Sequence, residues 1–141
     1  MREAKTTNPR APDPEGALHL AVADDEDDFR SLVRQVAEPL GWTVHEYANG
    51  RELVANLGAA YEPALIVLDM VMPQLDGIEA VGWIASTPVR CPIVLVTGKL
   101  PIYSDVANLL AQAKGLKVLD ILHKPVATRR LREVLDPARV R

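Results

Sequence analysis

Asp24, Asp25, Asp69, Thr97 and Lys124 supply three carboxylates, a hydroxyl and an ammonium, and they stand at or just beyond the ends of short apolar runs. Clustered carboxylates repel one another, and a hard divalent cation relieves that repulsion; oxygen ligands with water favour Mg²⁺. A carboxylate held beside such an ion can attack phosphorus and form an acyl phosphate. The phosphoryl oxygens then carry charge that a metal, a hydroxyl and an ammonium neutralise. On that chemistry Asp69 is the candidate nucleophile, Asp24 and Asp25 are the metal holders, and Thr97 and Lys124 meet the phosphoryl oxygens. Each residue alone has a plainer reading. An acidic run such as 24–28 commonly opens a helix, where Asp27 and Asp28 suit the macrodipole. A lone Asp after a strand commonly caps a turn, and Lys-Pro is commonly a loop. The weight lies in their joint occurrence, in one order along the chain.

The elements that must position them follow from hydrophobic spacing. Leu18–Ala23 is a compact apolar run broken only by His19, and Trp42–Tyr47 alternates like a half-exposed strand. Residues 64–68 and 93–96 are continuous aliphatic runs, as expected of central strands covered on both faces, and 118–122 is a fifth candidate. Between them, Phe29, Leu32, Val33, Val36 and Ala37 form one helical stripe. Val106, Leu109, Leu110 and Ala113 repeat that spacing, as do Ala127, Leu131, Val134 and Leu135, with shorter versions at 50–57 and 77–85. Gly41 and Gly115 stand where helix ends favour a left-handed residue. Strands alternating with helices imply an α/β fold: a doubly wound, five-stranded parallel sheet with helices on both faces. In such sheets the ligand site lies outside the carboxyl ends of the strands, which is where the five polar residues fall.

The chain has 141 residues, enough for one domain with a real core. Hydrophobic residues make up 48% and charged residues 25%, ordinary globular proportions that exclude collagen, coiled coil and disorder throughout. A net charge of −3 gives no field to draw the chain onto nucleic acid or a membrane, and 4% aromatics are too few for a base-stacking surface. A single cysteine, Cys91, excludes an internal disulfide. No signal peptide and no run long enough to span a bilayer is apparent, so a soluble cytoplasmic domain is expected. Residues 1–17 read as a disordered leader, 18–136 as the domain and 137–141 as a tail or the start of a linker.

At this level four segments become specific. VADDEDDFR (22–30), LIVLDMVMPQLDG (65–77), IVLVTG (93–98) and LHKP (122–125) together resemble the receiver domain of two-component response regulators, in family order and over about 18–136. The resemblance implies that Asp69 accepts phosphate from a sensor histidine kinase or a phosphotransfer protein. It implies that Asp25 and Asp69 bind Mg²⁺ directly, Asp24 more through water, and that the Val71 carbonyl completes the protein ligands. Thr97 would hydrogen-bond the phosphoryl group and Lys124 would pair with it. Asp76 and Gly77 would turn the loop into the third helix, and Pro125 would follow a cis peptide bond. Such a domain is a phosphoacceptor module rather than an enzyme acting on other substrates. It would signal to an effector through the face of the fourth helix, fifth strand and fifth helix, with no direct nucleic-acid or membrane contact and with a second copy of the chain as a candidate partner.

The sequence departs from that pattern in two places. The usual aromatic three residues before the lysine is Ile121 here, which puts the Thr-to-aromatic coupling in question; Tyr103 and His123 are the nearby rings. The 27-residue step from Thr97 to Lys124 is long, and with ANLLAQAKGLKVLDILHKP it resembles receivers fused to cyclic di-GMP phosphodiesterase domains, so the chain is expected to be either a stand-alone receiver or one excised from such a protein. A haloacid-dehalogenase-type aspartyl phosphatase is the competing reading. That family needs a second Asp two residues after the nucleophile, and Val71 occupies the position.

The other singled-out residues carry plainer expectations. Trp42 and Trp83 read as packing residues. His19 and His45 read as strand residues too far apart in topology to suggest a metal pair, and His123 as a residue lining the site. Cys91 stands at the end of its strand away from the acidic residues, where no thiol nucleophile is expected. Arg129, Arg130, Arg132, Arg139 and Arg141 read as a solvated basic face or a partner surface.

Overall fold

The computed structural model describes residues 17–70, 77–98 and 101–140, with backbone alone at 77 and 101–104. All but the last residue of the expected leader therefore lies outside the described residues. Five strands, β1 (Leu18–Ala23), β2 (Trp42–Tyr47), β3 (Leu65–Asp69), β4 (Ile93–Thr97) and β5 (Val118–His123), form one sheet in the order β2-β1-β3-β4-β5. All four pairings are parallel. The helices are α1 (Asp27–Ala37), α2 (Gly50–Asn56), α3 (Gly77–Ser86), α4 (Pro101–Ala113) and α5 (Thr128–Val134). This is the expected doubly wound fold.

Two cores flank the sheet. On one face Phe29, Val33 and Val36 of α1 and Leu131 and Val134 of α5 pack on Leu20, Val22, Val67 and Val96. On the other, Leu53 of α2, Ala80, Val81 and Ile84 of α3 and Ala107 and Ala111 of α4 pack on Ala23, Ile66, Leu68 and Leu95. Every residue of β3 and β4 is buried, which is why both read as unbroken apolar runs. Gly41 and Gly115 have φ of +104° and +81°, the left-handed geometry that ends a helical segment without a Cβ penalty. Gly41 closes a short 3-10 turn, Glu38–Leu40, that extends α1.

Three expectations are corrected here. His19 and His45 are not distant: β1 and β2 are neighbours in register, Ala21 opposite His45, and the two rings share the α2 face. His19 Nδ1 and His45 Nε2 lie 3.0 Å apart. Tyr61 stacks on His45, ring centroids 3.7 Å apart and 7° from parallel, and its hydroxyl is 2.7 Å from that of Tyr47. β2 is thus less exposed than alternation predicts, because His45 is buried along with Trp42, Val44 and Tyr47. Trp42 packs as expected, its Nε1 donating to the Leu135 carbonyl at 2.7 Å. Trp83 does not: the inward positions of α3 are Ala80, Val81 and Ile84, one helical stripe, and Trp83 falls off it with 56% of its surface exposed.

The C-terminal residues pack against this body. Asp136 accepts from the Ala138 amide to open a short 3-10 turn, Pro137–Arg139. Arg139 and Arg130 both reach Asp120, at 3.2 and 2.8 Å, so two of the five expected basic residues hold one carboxylate. Burial tends to raise the Asp120 pKa, but the Ile121 amide and these two guanidinium groups outweigh it and hold the carboxyl below its ordinary range.

Candidate functional site

Parallel register delivers the polar residues to one edge. Ala23 lies opposite both Tyr47 and Leu68, Asp69 opposite Val96, and Thr97 opposite His123. The ladder is continued past the strands: the Asp24 amide donates to Tyr47 O at 3.0 Å, Met70 to Val96 O at 2.9 Å, and Lys124 to Thr97 O at 2.8 Å. These bonds fix the backbones from which Asp24, Asp69, Thr97 and Lys124 project. The Lys124–Pro125 peptide is cis, as the resemblance implies.

Asp24, Asp25 and Asp69 each offer a carboxylate oxygen, all within 4.8 Å of one another. Asp24 and Asp69 are buried and Asp25 is exposed. Lys124 Nζ lies 2.8 Å from Asp24 Oδ2 and 3.9 Å from Asp69 Oδ2, and it also pairs with Glu26 Oε1. The ammonium sits over the Phe29 ring, 4.7 Å from its centroid, a cation–π contact with the start of α1. Three carboxylates, those of Asp24, Glu26 and Asp69, therefore share this ammonium. Burial pushes the Asp24 pKa up, against the opposing pull of Lys124 and of the Glu26 amide. Burial also pulls Lys124 down, but its bonds to Asp24 and Glu26 outweigh that and raise its pKa. The Thr97 hydroxyl is buried and, among the described residues, has no hydrogen-bond partner. A buried donor without a partner costs free energy, which a ligand oxygen would recover.

Asp25, Glu26, Asp69 and Lys124 open onto a cleft of about 710 Å³ that Phe29 and Gly98, among others, also line. An excess of carboxylate oxygens, with, among the described residues, a single ammonium beside it and an orphaned hydroxyl at the end of β4, is a donor set that fits a hard divalent cation and an anionic oxygen group together. Val71 and Asp76 lie outside the described residues, as does the side chain of Tyr103. His123 is exposed. Ile121 is half-buried and packs against the core under α4. Asp27 and Asp28 are exposed in the first turn of α1, the plain helix-start role. Burial drives the Cys91 thiol up to about 12, in keeping with an inert side chain. The residue that the sequence did not single out is Glu26, which looks like one more acid in the run 24–28. Only the fold shows that it meets a lysine 98 positions away.

The chain matches the response regulator receiver domain family over residues 20–136. It is 33% identical over 114 residues to the response regulator MprA of Mycolicibacterium vanbaalenii, covering 81% of this chain and 47% of that protein. It is 35% identical over 119 residues to protein-glutamate methylesterase/protein-glutamine glutaminase 2 of Anaeromyxobacter dehalogenans, covering 82% and 33%. The chain thus spans less than half the length of these curated relatives. Among solved structures, a response regulator from Colwellia psychrerythraea superposes with a TM-score of 0.74 at 25% identity, covering 88% of this chain and 98% of that one. The chain belongs to the response regulator receiver domain family. Among its described residues, no helix is long and apolar enough to cross a membrane.

Proposed function

We propose, from that membership, that the domain accepts a phosphoryl group on Asp69 from the phosphohistidine of a sensor histidine kinase or phosphotransfer protein. An Asp69 carboxylate oxygen forms the bond to phosphorus as the P–N bond to the donor imidazole breaks, and the imidazole leaves with a proton from solvent. Asp25 and Asp69 would hold Mg²⁺ directly, Asp24 more through water, with the Val71 carbonyl completing the set. When bound there, the ion neutralises charge developing on the phosphoryl oxygens. Thr97 Oγ1 donates to one of those oxygens, and Lys124 gives up part of its carboxylate contacts to pair with another. The domain catalyses only its own phosphorylation and dephosphorylation, in the cytoplasm, where the kinase presents its phosphohistidine.

The observation that carries this reading is the gathering at one sheet edge of three carboxylates within 4.8 Å, with Lys124 beside them and the orphaned Thr97 hydroxyl at the end of β4. Ile121 adds a detail. A half-buried β-branched side chain has a stiff χ1 and little area to gain by turning inward. The phosphorylated state would therefore propagate from Thr97 through the 98–106 backbone toward an effector on the α4, β5 and α5 face.

Two measurements test the reading. Phosphoramidate or acetyl phosphate with Mg²⁺ should add one phosphoryl group by intact mass and none to Asp69→Asn; equal labelling of that variant would overturn the assignment. With beryllofluoride, amide shifts should be large at 69–73 and 97–106 and small at 119–122. A large change at Ile121 with α4 unmoved would overturn the proposed route.

A further inference from the structure

We propose that Glu26 is a latch on Lys124, a positioning residue that holds the ammonium at the mouth of the cleft and restrains phosphoryl transfer to Asp69. The inference rests on the function proposed above and concerns how one of its groups is kept until needed.

The geometry ranks the partners of the ammonium. Lys124 Nζ is in contact with Glu26 Oε1, 2.8 Å from Asp24 Oδ2, and out of hydrogen-bond reach of Asp69 Oδ2 at 3.9 Å. Glu26 is placed for this role by the backbone rather than by helix capping. It is the residue before α1, extended at φ −92° and ψ 115°, and its side chain makes no capping bond. Its amide donates to Asp24 Oδ1 at 2.8 Å, which ties the base of the latch to the acidic cluster. The carboxylate is thereby turned into the cleft that Asp69 and Lys124 also line. The lysine stem lies against Gly98, the ammonium sits over the Phe29 ring, and the side chain is mostly covered, so only the head group is left to exchange partners.

The two ion pairs differ in kind. The Asp24 partner is fully buried, whereas 61% of the Glu26 side chain is exposed. An exposed pair is weak and readily exchanged, corresponding to about a two- to fivefold bias in an equilibrium. A phosphoryl oxygen arriving at Asp69 must draw Lys124 off Glu26, and the transfer is slowed by that factor. Glu26 also adds negative charge at the mouth, which would repel an anionic phosphodonor whether or not it touches Lys124. Reach separates these effects: a latch needs the full glutamate length, while repulsion needs only the charge.

The experiment uses the full chain and compares wild type with Glu26→Gln and Glu26→Asp. Mg²⁺ affinity is titrated separately for each, and phosphorylation by acetyl phosphate is then timed by intact mass at saturating Mg²⁺. Both variants are expected to phosphorylate about two- to fivefold faster than wild type. The Lys124 ¹⁵Nζ resonance of both, without phosphodonor, should lie displaced from wild type toward the position it takes in wild type with beryllofluoride. Acceleration in Glu26→Gln alone, with Glu26→Asp at the wild-type rate, would replace the latch by simple repulsion and overturn the proposal. Unchanged or slower transfer in both would also overturn it, as would an unmoved Lys124 resonance. Failure of the underlying function looks different: Asp69→Asn would then still take the label.

Discussion

Strands β1 and β2 carry two buried polar clusters that differ in almost every physical respect. At the carboxyl end of β1, Asp24, Glu26 and Asp69 meet one ammonium with Asp25 close by, at the edge of a cleft that Asp25, Glu26 and Asp69 line. Five residues earlier, His19 joins His45, Tyr47 and Tyr61 under α2, closed off from solvent. The second cluster carries no carboxylate. Its imidazoles meet each other, its hydroxyls meet each other, and a ring stacks across the gap. Burial of matched polar groups costs little and fixes a packing arrangement. Burial of one sign of charge in excess costs stability and leaves the protein waiting for a counter-ion. The second cluster suits structure, the first recognition and chemistry.

That contrast predicts substitutions of opposite sign. The largest effect is expected from Tyr61→Ala, which removes the stacked ring and strands the Tyr47 hydroxyl; denaturant melts should show a loss of about 3–5 kcal/mol. Tyr47→Phe should cost less, about 1–3 kcal/mol, by leaving the Tyr61 hydroxyl buried alone. Tyr47→Phe with Tyr61→Phe should cost less than the two single losses added, because no orphaned hydroxyl remains. Additive losses would show that the hydroxyl pair is not coupled.

In the acidic cluster the sign should reverse. Asp24 has a folded pKa raised by burial above its unfolded value near 3.8. Its charged form therefore costs stability, a cost fully present above the folded pKa and absent below the unfolded one. Asp24→Asn should accordingly raise the melting temperature at pH 7 without metal, by about 3–5 °C for on the order of 1 kcal/mol. The gain should shrink as pH falls toward 4, and Mg²⁺ should narrow it by stabilising wild type more. A destabilised variant at pH 7 would mean that the Lys124 pair outweighs the repulsion. The smallest expected effect is a null one. Cys91, with its thiol pushed up to about 12, should resist alkylation at pH 8 until the chain unfolds.

The two clusters were not equally legible in the sequence. Residues at strand ends are easy to place, because parallel strands of similar length bring their carboxyl ends to one edge whatever the order between them. Asp24, Asp25, Asp69, Thr97 and Lys124 needed only that. The His19–His45 pair required knowing that β2 is the neighbour of β1 and in which register, information held in the pairing and not in either strand. Glu26 was hidden for another reason: five consecutive acids look alike until one of them is turned toward a distant lysine. Trp83 was misjudged by residue type, although the spacing of Ala80, Val81 and Ile84 already leaves it off the inward stripe.

The unequal burial of the two tryptophans gives the molecule a pair of built-in optical reporters. Trp42, sealed against Leu135, should emit at short wavelength and be shielded from aqueous quenchers, while Trp83 should emit further to the red and be quenched freely. Replacing Trp83 by phenylalanine would leave a single lamp on the β2 flank that dims or shifts only when the α1–α5 core loosens. Replacing Trp42 instead would leave one on the outer surface of α3, where the approach of another molecule would darken or brighten it while the fold stays intact.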